Sequence, residues 1–260
     1  MTEGRAIPER PRRPTWREVA AMPGRRLFVA VPLSDAARLR VTELVDALRS
    51  PAGPGSEPAG ASRRGGRDPR GRDVRWVRLD GLHLTLRFLG PTEEPRVALV
   101  AEAVARVAAA SQPFAFTIDG GGAFPDAVRP RTLWLGVSDG QDGLVGLAGA
   151  LDRELTGAGW PLSDRPFRPH LTLARSDGVV AGAEVARRLV DAAHGLDLRS
   201  EVDRVVLFES VTGGGPARYL PVAESFLGRG DPGAAGRVPS NLSVSGRTPP
   251  DSSPGDASTS

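Results

Sequence analysis

A chain of 260 residues with 40% hydrophobic content can bury one large core or two small lobes, and its lack of cysteine excludes disulfides, thiolate metal sites and a Cys nucleophile. Every basic residue is Arg and the net charge is +3, but residues 1–26 hold seven Arg against three Glu and residues 50–73 hold five Arg against three acids, so the remainder is net negative and gives no support to a folded basic face for duplex binding. No apolar run approaches the roughly 20 residues of a membrane span, and residues 1–23 lack the apolar stretch of a secretory signal, so a soluble, cytoplasmic protein with no membrane partner is expected.

Residues 1–23, rich in Pro and Arg, are expected to be disordered. A strand follows over residues 27–31 (LFVAV). Ser34 then caps a helix through about Leu48, with Ala37, Leu39, Val41, Leu44, Val45 and Leu48 at helical spacing. Residues 50–73 (SPAGPGSEPAGASRRGGRDPRGRD) form a Gly/Pro/Ser/Arg insertion that cannot bury enough apolar surface to offset its ordering entropy. Strands are expected over 74–77 and 82–89, and Thr92 opens a helix to about Ala110, with Pro95 tolerated in its first turn. Residues 114–118 and 132–137 read as strands, 144–155 as an amphipathic helix and 170–174 as a strand. A helix over 183–193, a strand over 202–208 and a short strand over 217–221 complete the domain. The tail, residues 229–260, is again expected to be disordered. The order is mixed and not strictly βαβ, which predicts an α+β fold with mostly antiparallel sheets over residues 24–228.

Two of the three histidines stand in identical tetrapeptides, His83-Leu84-Thr85-Leu86 and His170-Leu171-Thr172-Leu173, which lie 87 residues apart. That spacing points to a duplicated half-domain, and so to two similar lobes facing each other. Alternate side chains of a strand face opposite sides, so the Leu pairs go to the core and each lobe presents one imidazole beside one hydroxyl. A neutral imidazole can take a proton from water while a protonated one gives a proton to a leaving oxygen, and the Thr hydroxyls can donate to phosphate oxygens. His83 and His170 are therefore the catalytic candidates, suited to a phosphodiester; the motifs alone leave open which is acid and which is base. Two His without a carboxylate or third His at regular spacing do not make a metal site. His194, beside a helix end, reads as structural. Phe124 and Trp134 read as core residues.

The stretches RLFVAVP (26–32), RWV (75–77), LHLTLRFLG (82–90), GAFP (122–125), PRTLWLGV (130–137), FRPHLTLAR (167–175) and VVLFESV (205–211) recur in the order of a known family. On them the chain resembles the 2H phosphoesterases, specifically the RNA 2',3'-cyclic phosphodiesterases once described as 2'-5' RNA ligases. The resemblance covers about residues 25–228 without the 50–73 insertion. It implies a bilobal fold with two mostly antiparallel sheets, outer helices and a central cleft. It also implies hydrolysis of an RNA 2',3'-cyclic phosphate end, or of a cyclic nucleotide, to a 2'-phosphomonoester by a monomer without metal or cofactor. His83 would then donate the proton to the 3' oxygen and His170 would activate water, with Thr85 and Thr172 on the phosphate and Arg175 near the phosphate or ribose. Arg87, two residues from Thr85, is expected to line the cleft. The same two His would serve another cyclic phosphate or weak 2'-5' ligation, and a non-catalytic RNA-end binder is the alternative of a different class.

Overall fold

The computed structural model describes residues 23–50, 74–163, 165–176, 180–213 and 216–229. The three segments expected to be disordered lie outside these residues, apart from Pro23, Ser50 and Arg229.

The chain opens with β1 (Arg25–Pro32), whose residues from Leu27 to Val31 are all buried. Helix α1 (Asp35–Arg49) starts where the Ser34 hydroxyl accepts the Ala37 N–H at 3.3 Å, the expected cap, and it buries Ala37, Val41, Val45 and Leu48 along one stripe. Strand β2 (Val74–Trp76) and a 3-10 turn (Leu79–Gly81) lead into β3 (His83–Thr92), then α2 (Glu94–Ala110). Thr92 closes β3 and does not open α2: it pairs with Arg25 of β1 and is buried, so the sheet ladder holds it. After β4 (Phe114–Phe124) come β5 (Thr132–Asp139), α3 (Gln141–Gly157), β6 (Leu171–Ser176) and α4 (Val180–Ala193). Three strands finish the domain, β7 (Leu198–Val202), β8 (Arg204–Val211) and β9 (Arg218–Phe226). The sequence pattern had not separated β7 from β8.

The architecture is the expected bilobal α+β fold, and all the strand pairs are antiparallel. One sheet runs β3-β1-β8-β9 and the other β2-β6-β5-β4-β7. The expected duplication is visible in these orders: β3-β1-β8-β9 corresponds to β6-β5-β4-β7, with β2 as an extra edge strand. Helices α2 and α3 pair with each other, α2 packing on β8 and β9 and α3 on β3. Helix α4 packs on β4 and β5, and α1 on β7 and α4. Each sheet thus has a helix-covered face and a face turned to the cleft. The core is one continuous cluster of Leu and Val from both sheets and the helices, including the fully buried Leu84, Leu133, Leu135, Leu171 and Leu173. Burying each of these stabilises the fold by roughly 1.5–3 kcal/mol.

Candidate active site

The two tetrapeptides lie on corresponding strands, one per lobe. Strand β3 begins at His83, and its first four residues alternate between half-buried His83 and Thr85 and buried Leu84 and Leu86. His170 directly precedes β6, where Thr172 is half-buried between the fully buried Leu171 and Leu173. Alternation therefore does what the sequence requires: Leu side chains anchor each strand in the core, and His with Thr stands on the cleft face.

Beyond the tetrapeptide each strand carries a β-bulge at the same position. Ala30 of β1 faces Thr85 while the adjacent Val29 faces Arg87, so Leu86 is the extra residue. Trp134 of β5 faces Thr172 while the adjacent Leu133 faces Ala174, so Leu173 is the extra residue. A bulge shifts the face of every residue after it by one. Arg87 and Ala174 consequently turn inward, and Phe88 and Arg175 turn to the cleft. The inward turn corrects the expectation for Arg87. Its guanidinium Nε lies 2.8 Å from the Asp152 carboxylate of α3, with only 10% of the side chain exposed, and its Nη2 donates to the Pro161 carbonyl. The outward turn puts Arg175 on the Thr172 face, which strict alternation would have denied it.

Both imidazoles are fixed in the same way. Nδ1 of His83 lies 2.7 Å from the Gly81 carbonyl oxygen, and Nδ1 of His170 lies 2.7 Å from that of Arg168. A carbonyl can only accept, so each Nδ1 carries the proton and donates, leaving Nε2 as the nitrogen that can exchange a proton with a ligand. Burial lowers the His83 pKa to about 4, with the Gly81 carbonyl working against that shift. Burial also lowers His170; the Arg168 carbonyl opposes the shift and the Arg175 charge adds to it. Arg175 acts across the cleft as well: Tyr219 of the other lobe is raised by burial and pulled back by the Arg175 charge. One guanidinium thus reaches groups beside both histidines.

Several aromatic residues complete the walls, and the sequence reading had not singled out Phe28, Phe88, Phe208 or Tyr219. The Tyr219 ring meets His83 edge to face, with centroids 4.9 Å apart. Phe28, at 4.9 Å from His83, stacks on Phe208 and touches Tyr219. In the second lobe Phe124 meets His170 at 5.2 Å and Trp134 stands 6.5 Å from it. Phe124 and Trp134 are half-buried cleft-wall residues, not the core residues expected. Trp134 lies flat over Gly122, where an added Cβ would come within 2.5 Å of the indole. Such a contact explains one glycine of the Gly120–Gly122 run: only a residue without a side chain lets the indole rest on β4 beside His170. The signal that could have found Phe28, Phe88 and Phe208 was the single Phe among the aliphatic residues of each of β1, β3 and β8; Tyr219 stands on β9. His194 is exposed on the turn after α4. Among the described residues no three His, Cys, Asp or Glu side chains gather into a group that could hold a metal ion, and no helix is long and apolar enough to cross a membrane.

Comparison with known proteins places this geometry among relatives. The family model of the 2'-5' RNA ligase superfamily matches residues 36–214. The chain is 34% identical over 158 residues to the RNA 2',3'-cyclic phosphodiesterase of Aquifex aeolicus, which covers 59% of this chain and 82% of that protein. Over 147 residues it is 31% identical to the RNA 2',3'-cyclic phosphodiesterase of Escherichia coli, covering 56% and 76% of the two chains. Among solved structures, E. coli LigT complexed with 3'-AMP superposes with a TM-score of 0.60 at 25% identity, over 79% of this chain and 99% of that one. A protein of Thermus thermophilus, TT0787, shares the fold, with a TM-score of 0.58 at 24% identity over 79% of this chain and 100% of that one.

Proposed function

The chain belongs to the 2'-5' RNA ligase superfamily, and on that premise we propose that it hydrolyses RNA 2',3'-cyclic phosphate ends to 2'-phosphomonoesters by two-histidine acid–base catalysis. Its likeness to phosphodiesterases of that activity supports the substrate class. The observation that carries the mechanism is the pair of imidazoles, each with Nδ1 tied to a backbone carbonyl and Nε2 free, each beside a Thr on the cleft face of its lobe.

In the proposed step, His170 Nε2 takes a proton from water as the water oxygen bonds to phosphorus. The bond from phosphorus to the 3' oxygen breaks, and that oxygen takes the proton held on His83 Nε2. Thr85 and Thr172 donate to the non-bridging oxygens, and Arg175 balances the charge that grows on them. The 2'-phosphate leaves with His83 neutral and His170 protonated, and solvent exchanges the two protons. Both histidines are shifted toward neutrality in the free protein, so the anionic phosphate must also raise the imidazole that acts as acid. No step needs a metal. A monomer working in the cytoplasm completes the reading, since one chain supplies both histidines and a protein without cysteine suits a reducing compartment.

The test supplies 2',3'-cyclic mononucleotides and an RNA ending in a cyclic phosphate, in EDTA. A 2'-phosphate product is expected. A 3'-phosphate product would overturn the assignment of acid and base, and no turnover on any cyclic phosphate would turn the protein into a binder of RNA ends. His83→Asn and His170→Asn, whose amides can still donate to the Gly81 and Arg168 carbonyls, should each lower kcat by roughly 10²–10⁴-fold. A variant with near-normal kcat removes that histidine from the mechanism.

A further inference from the structure

Strand β2 has no counterpart in the sheet of His83, and it adds one residue to the cleft face. Arg75 stands directly opposite Arg175 in the ladder between β2 and β6, so the two side chains leave the sheet on the same face, that of Thr172. Both are exposed. Farther across the sheet Arg175 faces Thr132, and Thr132 faces Phe124, the ring that meets His170 edge to face. This row runs from two cations at the sheet edge, through a hydroxyl, to the wall of a catalytic histidine, and it holds no carboxylate. Side chains directly opposite in an antiparallel pair have Cβ atoms about 4.5–5.5 Å apart, and like charges placed so repel. An anion bound by the two guanidinium groups removes that cost. The strand is also held in place for such a task. On its other face Trp76 packs against the core under the Arg49 guanidinium, 5.5 Å away, and past its end the Val77 N–H donates to the Leu173 carbonyl at 2.9 Å.

We propose that Arg75, beside Arg175, binds a second phosphate of the substrate, the phosphodiester that joins the terminal nucleotide to its 5' neighbour; the inference rests on the cyclic-phosphodiesterase reading above. Arg175 lies three residues beyond Thr172 and belongs with the cyclic phosphate. Arg75 stands one strand farther out, about 5 Å away. A guanidinium there can reach the next phosphate along the chain while Arg175 holds the first, and its planar fork matches phosphate oxygens. Phosphate contacts fix register without reading sequence. The site therefore favours an RNA end over a mononucleotide, whatever its bases. A 5'-phosphomonoester offers the same charge, and substrates with and without an internucleotide link separate the two sources.

The experiment uses the full chain and two dinucleotides ending in a 2',3'-cyclic phosphate, alike in both bases: one joined by a phosphodiester, the other by an uncharged methylphosphonate. For wild type, KM should be roughly 3- to 10-fold lower on the charged substrate, the scale of one exposed charge-assisted contact. In Arg75→Gln that ratio should fall to near 1, and Arg75→Lys, which keeps a cation, should retain most of it. A merely structural Arg75 would move KM on both substrates alike and leave the ratio standing, which overturns the proposal. A wild-type ratio near 1 overturns it too, and so does a Lys variant that loses the ratio as fully as the Gln variant. Adenosine 5'-phosphate 2',3'-cyclic phosphate is run against 2',3'-cyclic AMP: a comparable gain, lost in Arg75→Gln, assigns the site to any 5'-phosphate, and no gain assigns it to the internucleotide link. Calorimetric binding of the matching dinucleotides ending in a 2'-phosphate gives the same ratio without turnover. If the charged one binds tighter and Arg75→Gln removes the difference while no cyclic phosphate is hydrolysed, the second-phosphate site stands and the catalytic reading alone fails. Equal binding of the two by wild type sinks the site whatever the activity.

Discussion

A protonated imidazole loses more hydration on burial than a neutral one, so the surroundings of His83 and His170 set where the reaction runs on the pH scale. The free-enzyme profile, that of kcat/KM, needs one imidazole neutral and the other protonated. Both are lowered from 6.5, His83 to about 4. The bell in kcat/KM should therefore peak below pH 6.5, and it sits there whichever histidine is the acid. Bound phosphate raises the acid, so the profile of kcat should extend to higher pH than that of kcat/KM. A kcat/KM that keeps rising from pH 6.5 to 8 would contradict the position of that bell. The same burial has a consequence for stability. The folded state disfavours protonated His83, so the unfolded state binds the extra proton between about pH 6.5 and 4. Stability is then full above pH 6.5 and falls by up to about 3 kcal/mol as pH drops through that window. In His83→Asn, which does not titrate, urea midpoints measured across the same range should show a shallower slope; an equal slope would mean that other groups carry the acid sensitivity. The histidines and threonines were legible in the sequence because the face of a strand residue depends only on its neighbours in the chain. Arg87 and Arg175 were not, because their faces depend on a bulge.

A bulge is a property of two strands: it shows only when the residues of β3 are counted against β1 and those of β6 against β5. Strict alternation sorts Arg87 and Arg175 the wrong way round, since Arg87 stands four residues after His83 and Arg175 five after His170. Their environments differ sharply once the partner strand is present. Arg87 lies between β3 and α3, against an Asp152 whose side chain is 23% exposed. Replacing Arg87 by Leu leaves that carboxylate half-buried without its cation, and discounting for its partial exposure we expect a loss of about 2 kcal/mol. The double variant Arg87→Leu/Asp152→Leu should recover most of the loss, because the ions leave together. Urea denaturation of the four proteins measures the coupling. If Arg87 faced the cleft instead, the single variant would be near neutral in stability and would change KM. Element boundaries moved for a related reason. Thr92 reads as a helix cap by residue type, but its pairing with Arg25 keeps it in β3, and the register between strands overrides a local propensity.

Two lobes were legible from the repeat of one tetrapeptide, but the way they are joined was not, because it needs the destination of strands far apart in sequence. The first half of the chain places β1 and β3 in one sheet and then sends β4 into the other. The second half places β5, β6 and β7 there and returns β8 and β9 to the first sheet. The lobes are also tied at α1, which leaves β1 and packs on β7 and α4; at its start the Ser34 N–H donates to the buried Ser200 hydroxyl at 3.0 Å. Cutting between β4 and β5 therefore leaves neither half with a complete sheet, and the hydrophobic core runs through both. For catalysis this joins the two histidines to one folding unit, so neither can be displaced by unfolding of its own lobe alone. Unfolding should accordingly be a single cooperative transition. Trp160, buried and stacked on Arg96 of α2 at 3.8 Å, reports on the lobe of His83, and Trp134 reports on the lobe of His170. In Trp16→Phe/Trp76→Phe/Trp160→Phe only Trp134 fluoresces, and in Trp16→Phe/Trp76→Phe/Trp134→Phe only Trp160 does. Within each variant the fluorescence change should coincide with the loss of far-ultraviolet circular dichroism along a urea titration, at one midpoint and with one slope. A lobe that melted on its own would separate the two curves in at least one variant, because circular dichroism sees both sheets and the lone Trp sees only one.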